Sequence, residues 1–375
     1  MYPTLTNRPV WIEVDIDQLR ANLAYVRARA DEKAIWAVVK SDAYNHGLEG
    51  VFTTFIAARI AHFCVGNFDE AVQLQSLADA AGEQITILIF GLIPYDKLSI
   101  IRPNWHVTIS SLHMLTQYSI ALEANPEQML HVHLKIDSGM NRRGFKGEAE
   151  FATAWRTLQV HGQYDVVGLY THFSTADSDV PFMKGQVGRF LDIVGTTWHD
   201  VQYVHAQNSY GLLHLGEEAA MFNVIRVGGI CYGLSGQRRT DVQPIFSLYG
   251  EIIEVKAVKK GETISYGNTH TFTRDGYVGV IPLGYADGWR RINTNLDVYI
   301  GEQSVQIVGT ICMEQLMVFS PDACFAPGDT VTFIGGKSDL FAVAHHNEIT
   351  DYELICSFLA RIPRKYITKG KGRFE

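Results

Sequence analysis

A lysine closes the apolar run Ala34-Ile-Trp-Ala-Val-Val-Lys40, and Tyr44, His46 and Gly47 follow it within a few residues. Other apolar runs end in the same way. Lys135, Asp137 and Arg142 stand at or after 131–137, His172 lies in 166–173, Asn208 and Ser209 follow 201–206, and Arg226 with Gly228 and Gly229 lies in 224–232. A set dominated by cations and small donors suits an anion, most naturally a phosphate together with a carboxylate. A lysine whose ammonium is destabilised by nearby cations or desolvation also becomes a nucleophile toward aldehydes. The alternative for Lys40 is a phosphate or carboxylate ligand with no covalent role.

These residues need elements that bring the ends of their runs together. Apolar runs of strand length at 34–40, 62–67, 85–91, 106–110, 131–137, 166–173, 201–206 and 224–232 alternate with helical patterns such as 69–81, 111–123, 148–160 and 181–197. Strict alternation predicts an α/β fold with a parallel sheet, and eight repeats predict a (β/α)8 TIM barrel, whose functional groups gather at the carboxyl ends of the strands. An open doubly wound sheet is disfavoured, because no G-x-G-x-x-G follows the first run. Ahead of the barrel runs, 10–15 reads as a strand and 16–30 as a helix with Leu19, Leu23 and Val26 on one face. Beyond Pro244 the pattern becomes β: strands are predicted at 247–258, 263–265, 271–282, 296–300, 303–311, 316–319 and 330–334. Turn pairs Asp275-Gly276 and Gly301-Glu302 fall among them, and a helix capped by Thr350 follows at 350–359. The expected domains are a barrel over 10–244 and a C-terminal, mainly β domain over 245–375 together with 1–9.

A net charge of −8 gives no basic excess to release counterions, which argues against a nucleic-acid partner, and the short 369–373 basic tail reads as solvated. The apolar run 85–95 is interrupted by Gly91 and Pro94 and is too short to span a bilayer, and residues 1–9 lack an apolar leader. Five cysteines without C-x-x-C spacing suit a reducing compartment, so a cytoplasmic location is expected. No metal-ligand spacing is present, and no metal is expected. Pyridoxal phosphate answers the chemistry of the strand ends, because it carries an aldehyde for Lys40 and a phosphate for the Gly, Ser and Tyr donors.

The segments 37–47 (AVVKSDAYNHG), 134–142 (LKIDSGMNR), 171–173 (THF), 205–209 (HAQNS), 264–267 (ISYG), 281–288 (IPLGYADG), 309–315 (GTICMEQ) and 361–364 (RIPR) resemble, in order, the successive motifs of the alanine racemase family, over nearly the whole chain. The resemblance implies a pyridoxal-phosphate-binding (β/α)8 barrel followed by a β domain, racemisation of L- and D-alanine for cell-wall D-alanine, and a head-to-tail homodimer. It implies that Lys40 carries the cofactor and acts as base on one face of the substrate Cα. Tyr266, contributed by the second subunit, acts on the other. Two bases suit the reaction, since inversion through a planar carbanion removes a proton on one side and returns one on the other. Unperturbed lysine and tyrosine lose their protons near about 10, so cationic neighbours or desolvation must assist.

The resemblance further implies supporting roles for His172 and Arg226, the latter at the pyridine nitrogen. A guanidinium cannot readily protonate that ring, so it is a weaker electron sink than with a carboxylate partner. Tyr44, Ser209, Gly228, Gly229 and Tyr285 match phosphate-binding positions, with Asn208 beside them. Arg142 and the Met313 N–H match substrate-carboxylate contacts, and Lys135 matches a lysine often carbamylated in the family. Taken singly, each has a structural reading: Lys135 and Arg142 neutralising Asp137, His172 as a core histidine, Tyr266 and Tyr285 as strand and turn aromatics. Their joint occurrence favours the site.

Glu314, Val227 and Arg143 depart from the family's Asp, Pro and Leu. Ala360 stands where many members carry a pocket-narrowing tyrosine, so serine or a broader range of amino acids is an alternative substrate class. A PLP decarboxylase of the same architecture, or a non-catalytic PLP-binding protein, is disfavoured by Tyr266 and Arg226, and by the β domain with Met313.

Overall fold

The computed structural model describes residues 8–368; the basic tail at 369–373 lies outside them. The chain divides into two compact units: one comprises Leu23–Ala43 and Val51–Cys231, the other the chain up to Asn22, Tyr44–Gly50 and the chain from Tyr232 onward.

The first unit holds a closed barrel of eight parallel strands, each preferring its sequence neighbour as partner. After β1 (Val10–Asp15), the barrel strands are β2 (Ala34–Val38), β3 (His62–Val65), β4 (Thr86–Ile89), β5 (Trp105–Ile109), β6 (Leu130–Lys135), β7 (Tyr164–Tyr170), β8 (Tyr203–His205) and β9 (Val224–Val227). Pairing of β2 with β9, Ala34 opposite Val224 and Trp36 opposite Arg226, closes the ring. All eight predicted runs become barrel strands, because each is bounded by polar, helix-starting sequence. Asn67, Ser111 and Asp179 cap Phe68–Ala81, Leu112–Glu123 and Val180–Val194 by accepting from backbone N–H groups three residues on.

The second unit is a nine-stranded sheet in the order Glu254–Val258, Gly276–Ile281, Leu316–Ser320, Gln303–Val308, Asp297–Ile300, Thr330–Ile334, Phe246–Glu251, Val10–Asp15, Arg364–Ile367. Gly301, at φ +57°, turns the predicted hairpin between Asp297–Ile300 and Gln303–Val308. β1 departs from its expected place in the barrel segment 10–244. It pairs antiparallel with Phe246–Glu251 and parallel with Arg364–Ile367. A six-residue apolar strand does not encode its partner, and its distant neighbours in sequence supply it. The predicted helix at 350–359 is shorter, Asp351–Cys356, with Thr350 capping it by accepting from Glu353 N at 3.1 Å.

Candidate active site

In the barrel unit, Lys40 lies two residues beyond the last residue of β2. The backbone that follows is not an ordinary loop. Ser41, Asp42, Ala43, Tyr44 and Asn45 all have φ between +54° and +66°, a single left-handed turn made without glycine. Each such residue costs about 1–2 kcal/mol, so the turn persists only because its ends are tied down. On the barrel side, Glu70 accepts from Ser41 N at 2.8 Å and from Gly66 N at 2.6 Å. In the other unit, Asn45 Nδ2 donates to Ile355 O and Phe358 O at 2.6 and 2.8 Å, and Arg364 Nη2 donates to Asn45 Oδ1 at 2.5 Å.

β6 delivers Lys135, buried at its end, and residues 137–145 fold back on that strand end. Gly144 has φ +127°, and a Cβ there would lie 2.6 Å from Asp137 N, so this return requires glycine. Asp137 Oδ1 accepts from Gly139 N and Asn141 N at 3.1 and 2.9 Å, so it is a turn residue and not an ion-pair partner for Arg142. Lys135 Nζ donates to Arg143 O at 3.0 Å. Burial, then Arg226 and Arg142, bring its pKa down to about 8, against the opposing pull of Asp137. Arg143 is sewn into the strand ends, its Nη1 donating to Phe90 O and its Nη2 to Ser110 Oγ, both at 3.2 Å. A leucine could make neither bond. Arg142 is exposed and forms no ion pair among the described residues.

Arg226 is only 3% exposed and is held through both Nη atoms. Its Nη1 donates to His205 Nδ1 at 2.6 Å, and its Nη2 to Thr171 O at 2.9 Å, Ala206 O at 3.3 Å and His172 Nδ1 at 3.4 Å. Because arginine only donates, both imidazoles present lone pairs to it, which fixes His172 as its Nε2–H form. Burial and then the Arg226 charge hold the pKa of His172 well below the usual imidazole value. Nε of Arg226 meets no protein acceptor among the described residues. Asn208 uses its side-chain oxygen to cap Ser209–His214, accepting from Gly211 N at 2.8 Å, and Ser209 Oγ accepts from Ile230 N at 3.2 Å beside the buried Gly228-Gly229 pair. Val227 continues β9 as a buried residue.

In the other unit, Tyr266 sits in a tight turn with Ser265 at φ +67°, Gly267 at +76° and Asn268 at +49°. Thr310 Oγ1 donates to Tyr266 O at 3.0 Å, and the Tyr266 side chain is left 69% exposed. Met313 is 53% exposed, and its N–H meets no acceptor among the described residues. Gly284 lets this segment approach, since a Cβ there would lie 2.3 Å from Met313 O, and Tyr285 opens the turn that follows. Tyr44 packs near Tyr232 and Tyr352. One group was missed from sequence: Asp287, fully buried, accepts from Arg8, from Arg361 Nε at 2.7 Å and from Gly284 N at 3.0 Å. Arg361 also grips Glu314 with two bonds, at 3.1 and 2.8 Å. Glu314 is thereby a member of a four-residue ion network. The only sequence signal for it was charge recurring in otherwise apolar motifs.

A closed parallel barrel whose strand ends carry two lysines and three arginines, in one chain with a sheet unit that displays an exposed tyrosine, defines a barrel protein with a cationic candidate site. Family models agree. Residues 14–236 match the alanine racemase N-terminal domain and residues 245–366 the alanine racemase C-terminal domain, so the chain belongs to the alanine racemase family. It is 36% identical to an alanine racemase of Streptococcus suis, over 96% of this chain and 98% of that protein. Among solved structures it resembles alanine racemase from E. faecalis, with TM-score 0.87 and 32% identity, covering 96% of this chain and 98% of that one. It also resembles a histidine racemase from Leuconostoc mesenteroides, with TM-score 0.87 and 25% identity, covering 96% and 98%.

Proposed function

We propose that this chain is a pyridoxal-phosphate-dependent racemase that interconverts L- and D-alanine, with Lys40 and Tyr266 exchanging protons on opposite faces of the substrate Cα. The observation that carries the reading is Arg226: a buried guanidinium aimed by four protein acceptors, with its Nε–H left for an acceptor that the protein does not supply. That donor set fits the ring nitrogen of the cofactor. When bound, pyridoxal phosphate supplies the aldehyde that joins to a lysine and a ring that draws electrons from Cα. Lys40 holds the aldehyde and takes or returns the proton on its face. Ser209, Gly228 and Gly229, with Tyr44 and Tyr285, hold the phosphate, and Asn208 braces the helix start beside them. Arg142 and the unpaired Met313 N–H receive the substrate carboxylate. His172, kept neutral with its Nε2–H available, supports Tyr266.

The strong exposure of Tyr266 supports its use by a partner subunit, and with it a homodimer with shared sites. The depressed pKa of Lys135 supports carbamylation: its neutral amine adds to the carbon of CO2, an N–C bond forms as one C–O π bond opens, and the nitrogen releases a proton. No helix among the described residues is long and apolar enough to cross a membrane. The alanine racemase reading, taken by itself, implies a cytoplasmic enzyme.

A second reading has a specific observation behind it. Ala360 is exposed and carries only a methyl beside Arg361, and one likeness is to a histidine racemase. Serine or larger amino acids are then substrates. The test is borohydride fixation of the cofactor followed by peptide mapping, which should find the label on Lys40, together with kcat/KM for both enantiomers of Ala, Ser, His, Lys and Met. Label elsewhere contradicts the Lys40 assignment. An advantage for Ala over all others beyond about 100-fold removes the broad-substrate reading, since one methylene decides only about 10- to 200-fold.

A further inference from the structure

Below the site just described, the barrel interior carries a row of side chains that the proposed reaction does not use. His205 Nε2 lies 2.9 Å from His133 Nδ1, and His133 Nε2 lies 2.9 Å from His106 Nδ1. His133 and His205 are fully buried and His106 is 8% exposed. The row starts at Arg226 on β9, passes to β8, crosses β7 to β6 and ends on β5. The crossing is possible because β7 contributes Gly168, where a Cβ would lie 2.2 Å from His133 Nδ1. A register shift between Val132 and His133 brings Gly168 opposite His133.

The donor directions in this row are not free. Arg226 can only donate, so His205 Nδ1 accepts and its proton is on Nε2. His133 Nδ1 must then accept from His205, which leaves the His133 proton on Nε2, and His106 Nδ1 accepts in turn. All three rings are the same Nε2–H tautomer, with lone pairs pointing toward Arg226 and N–H groups pointing away. The neighbours enforce neutrality. Tyr170 stacks on His205 with centroids 4.8 Å apart, Tyr203 stacks on His133 at 5.7 Å, and Trp36 lies against both imidazoles. The titratable groups around His106 are His62, His131 and Tyr203, with Asp165 bonded to His131. Burial first, then His131 and His62, lower the pKa of His106 to about 3.

We propose that Arg226, His205, His133 and His106 form one hydrogen-bond column of fixed polarity, in which His133 and His106 are positioning residues that hold Arg226 charged and aimed. The link from column to turnover rests on the racemase reading given above; the polarity itself does not. Removing the acceptor at His106 leaves the buried His133 N–H unpaired, and a buried donor without a partner is unfavourable. The only relief is to reverse the His133 tautomer, which sets two N–H groups against each other at His205 and loosens the grip on Arg226.

The test uses the full-length protein, with cofactor, labelled with 15N in its histidine side chains. His205, His133 and His106 should all read as neutral Nε2–H rings from about pH 6 to about pH 9, where an ordinary histidine changes charge. His106→Leu should mix the His133 and His205 tautomers and lower kcat about tenfold, and His106→Asn, whose side-chain oxygen replaces the Nδ1 acceptor, should restore both. A charged or Nδ1–H ring at His133 or His205 in the wild type overturns the proposal, and so does His106→Leu with unchanged kcat and unchanged tautomers. If His106→Leu does not fold, the wild-type spectrum alone decides. A wild type that racemises no amino acid refutes the functional reading instead, and leaves the column to be judged by the same spectrum.

Discussion

Lys135 shows how far one residue's chemistry depends on its surroundings. Its pKa of about 8 in the folded protein lies below that of an unfolded lysine, near about 10.4, so the unfolded chain holds the proton more tightly. Burying the cation therefore costs stability in full below pH about 8, and the cost fades as pH rises toward about 10.4. In CO2-free buffer, Lys135→Met should gain on the order of 2 kcal/mol at pH about 7, an advantage that shrinks by pH about 9.5. Urea unfolding at the two pH values checks this, and an equal change at both contradicts it. At this scale the placement of Lys40, Lys135 and Arg226 at barrel strand ends was legible from where their apolar runs stop. The column was not, although His131, His133 and Lys135 alternate along one strand. Alternation places polar residues on a face without saying whether that face is solvent or barrel interior.

Among the elements, the left-handed turn after Lys40 is the least expected. Residues 41–45 contain no glycine, and only Asp42 and Asn45 among them adopt positive φ readily; the strain is sustained by bonds with Glu70, Ile355, Phe358 and Arg364, all distant in sequence. Asn45→Ala removes the acceptor and donors at one end of the turn. It should cost about 1–3 kcal/mol in thermal or urea unfolding, far more than an alanine at a surface site. Glu70→Ala strips the acceptor from Ser41 N and Gly66 N, and should lower borohydride-fixed cofactor at Lys40 before it lowers stability. Barrel strands and their capped helices were readable because each carries its own start and stop signals. Leu340–His346 and Arg364–Ile367 lacked them, and β1 took a distant partner, Val10 pairing with Gly250, 240 residues on by subtraction.

At the scale of the whole molecule, the division into a barrel and a β-sheet unit was legible from the change in pattern near Pro244, and β1 is where that reading needed correction. Shared sites in a dimer give a distinctive outcome. When Lys40→Ala and Tyr266→Phe chains are co-expressed, random pairing puts one intact site in half of the dimers, so about a quarter of wild-type turnover should return from two inactive parents. No recovery would mean that both bases come from one chain. Proton exchange on both faces of Cα is tested by incubating the full-length, cofactor-loaded protein with L-alanine, and separately with D-alanine, in deuterated water and following chirality and α-deuterium together. Both should converge on an equal mixture of enantiomers, with deuterium entering at Cα as inversion proceeds. Release of CO2, or alanine that keeps its configuration and its α-hydrogen, would contradict it.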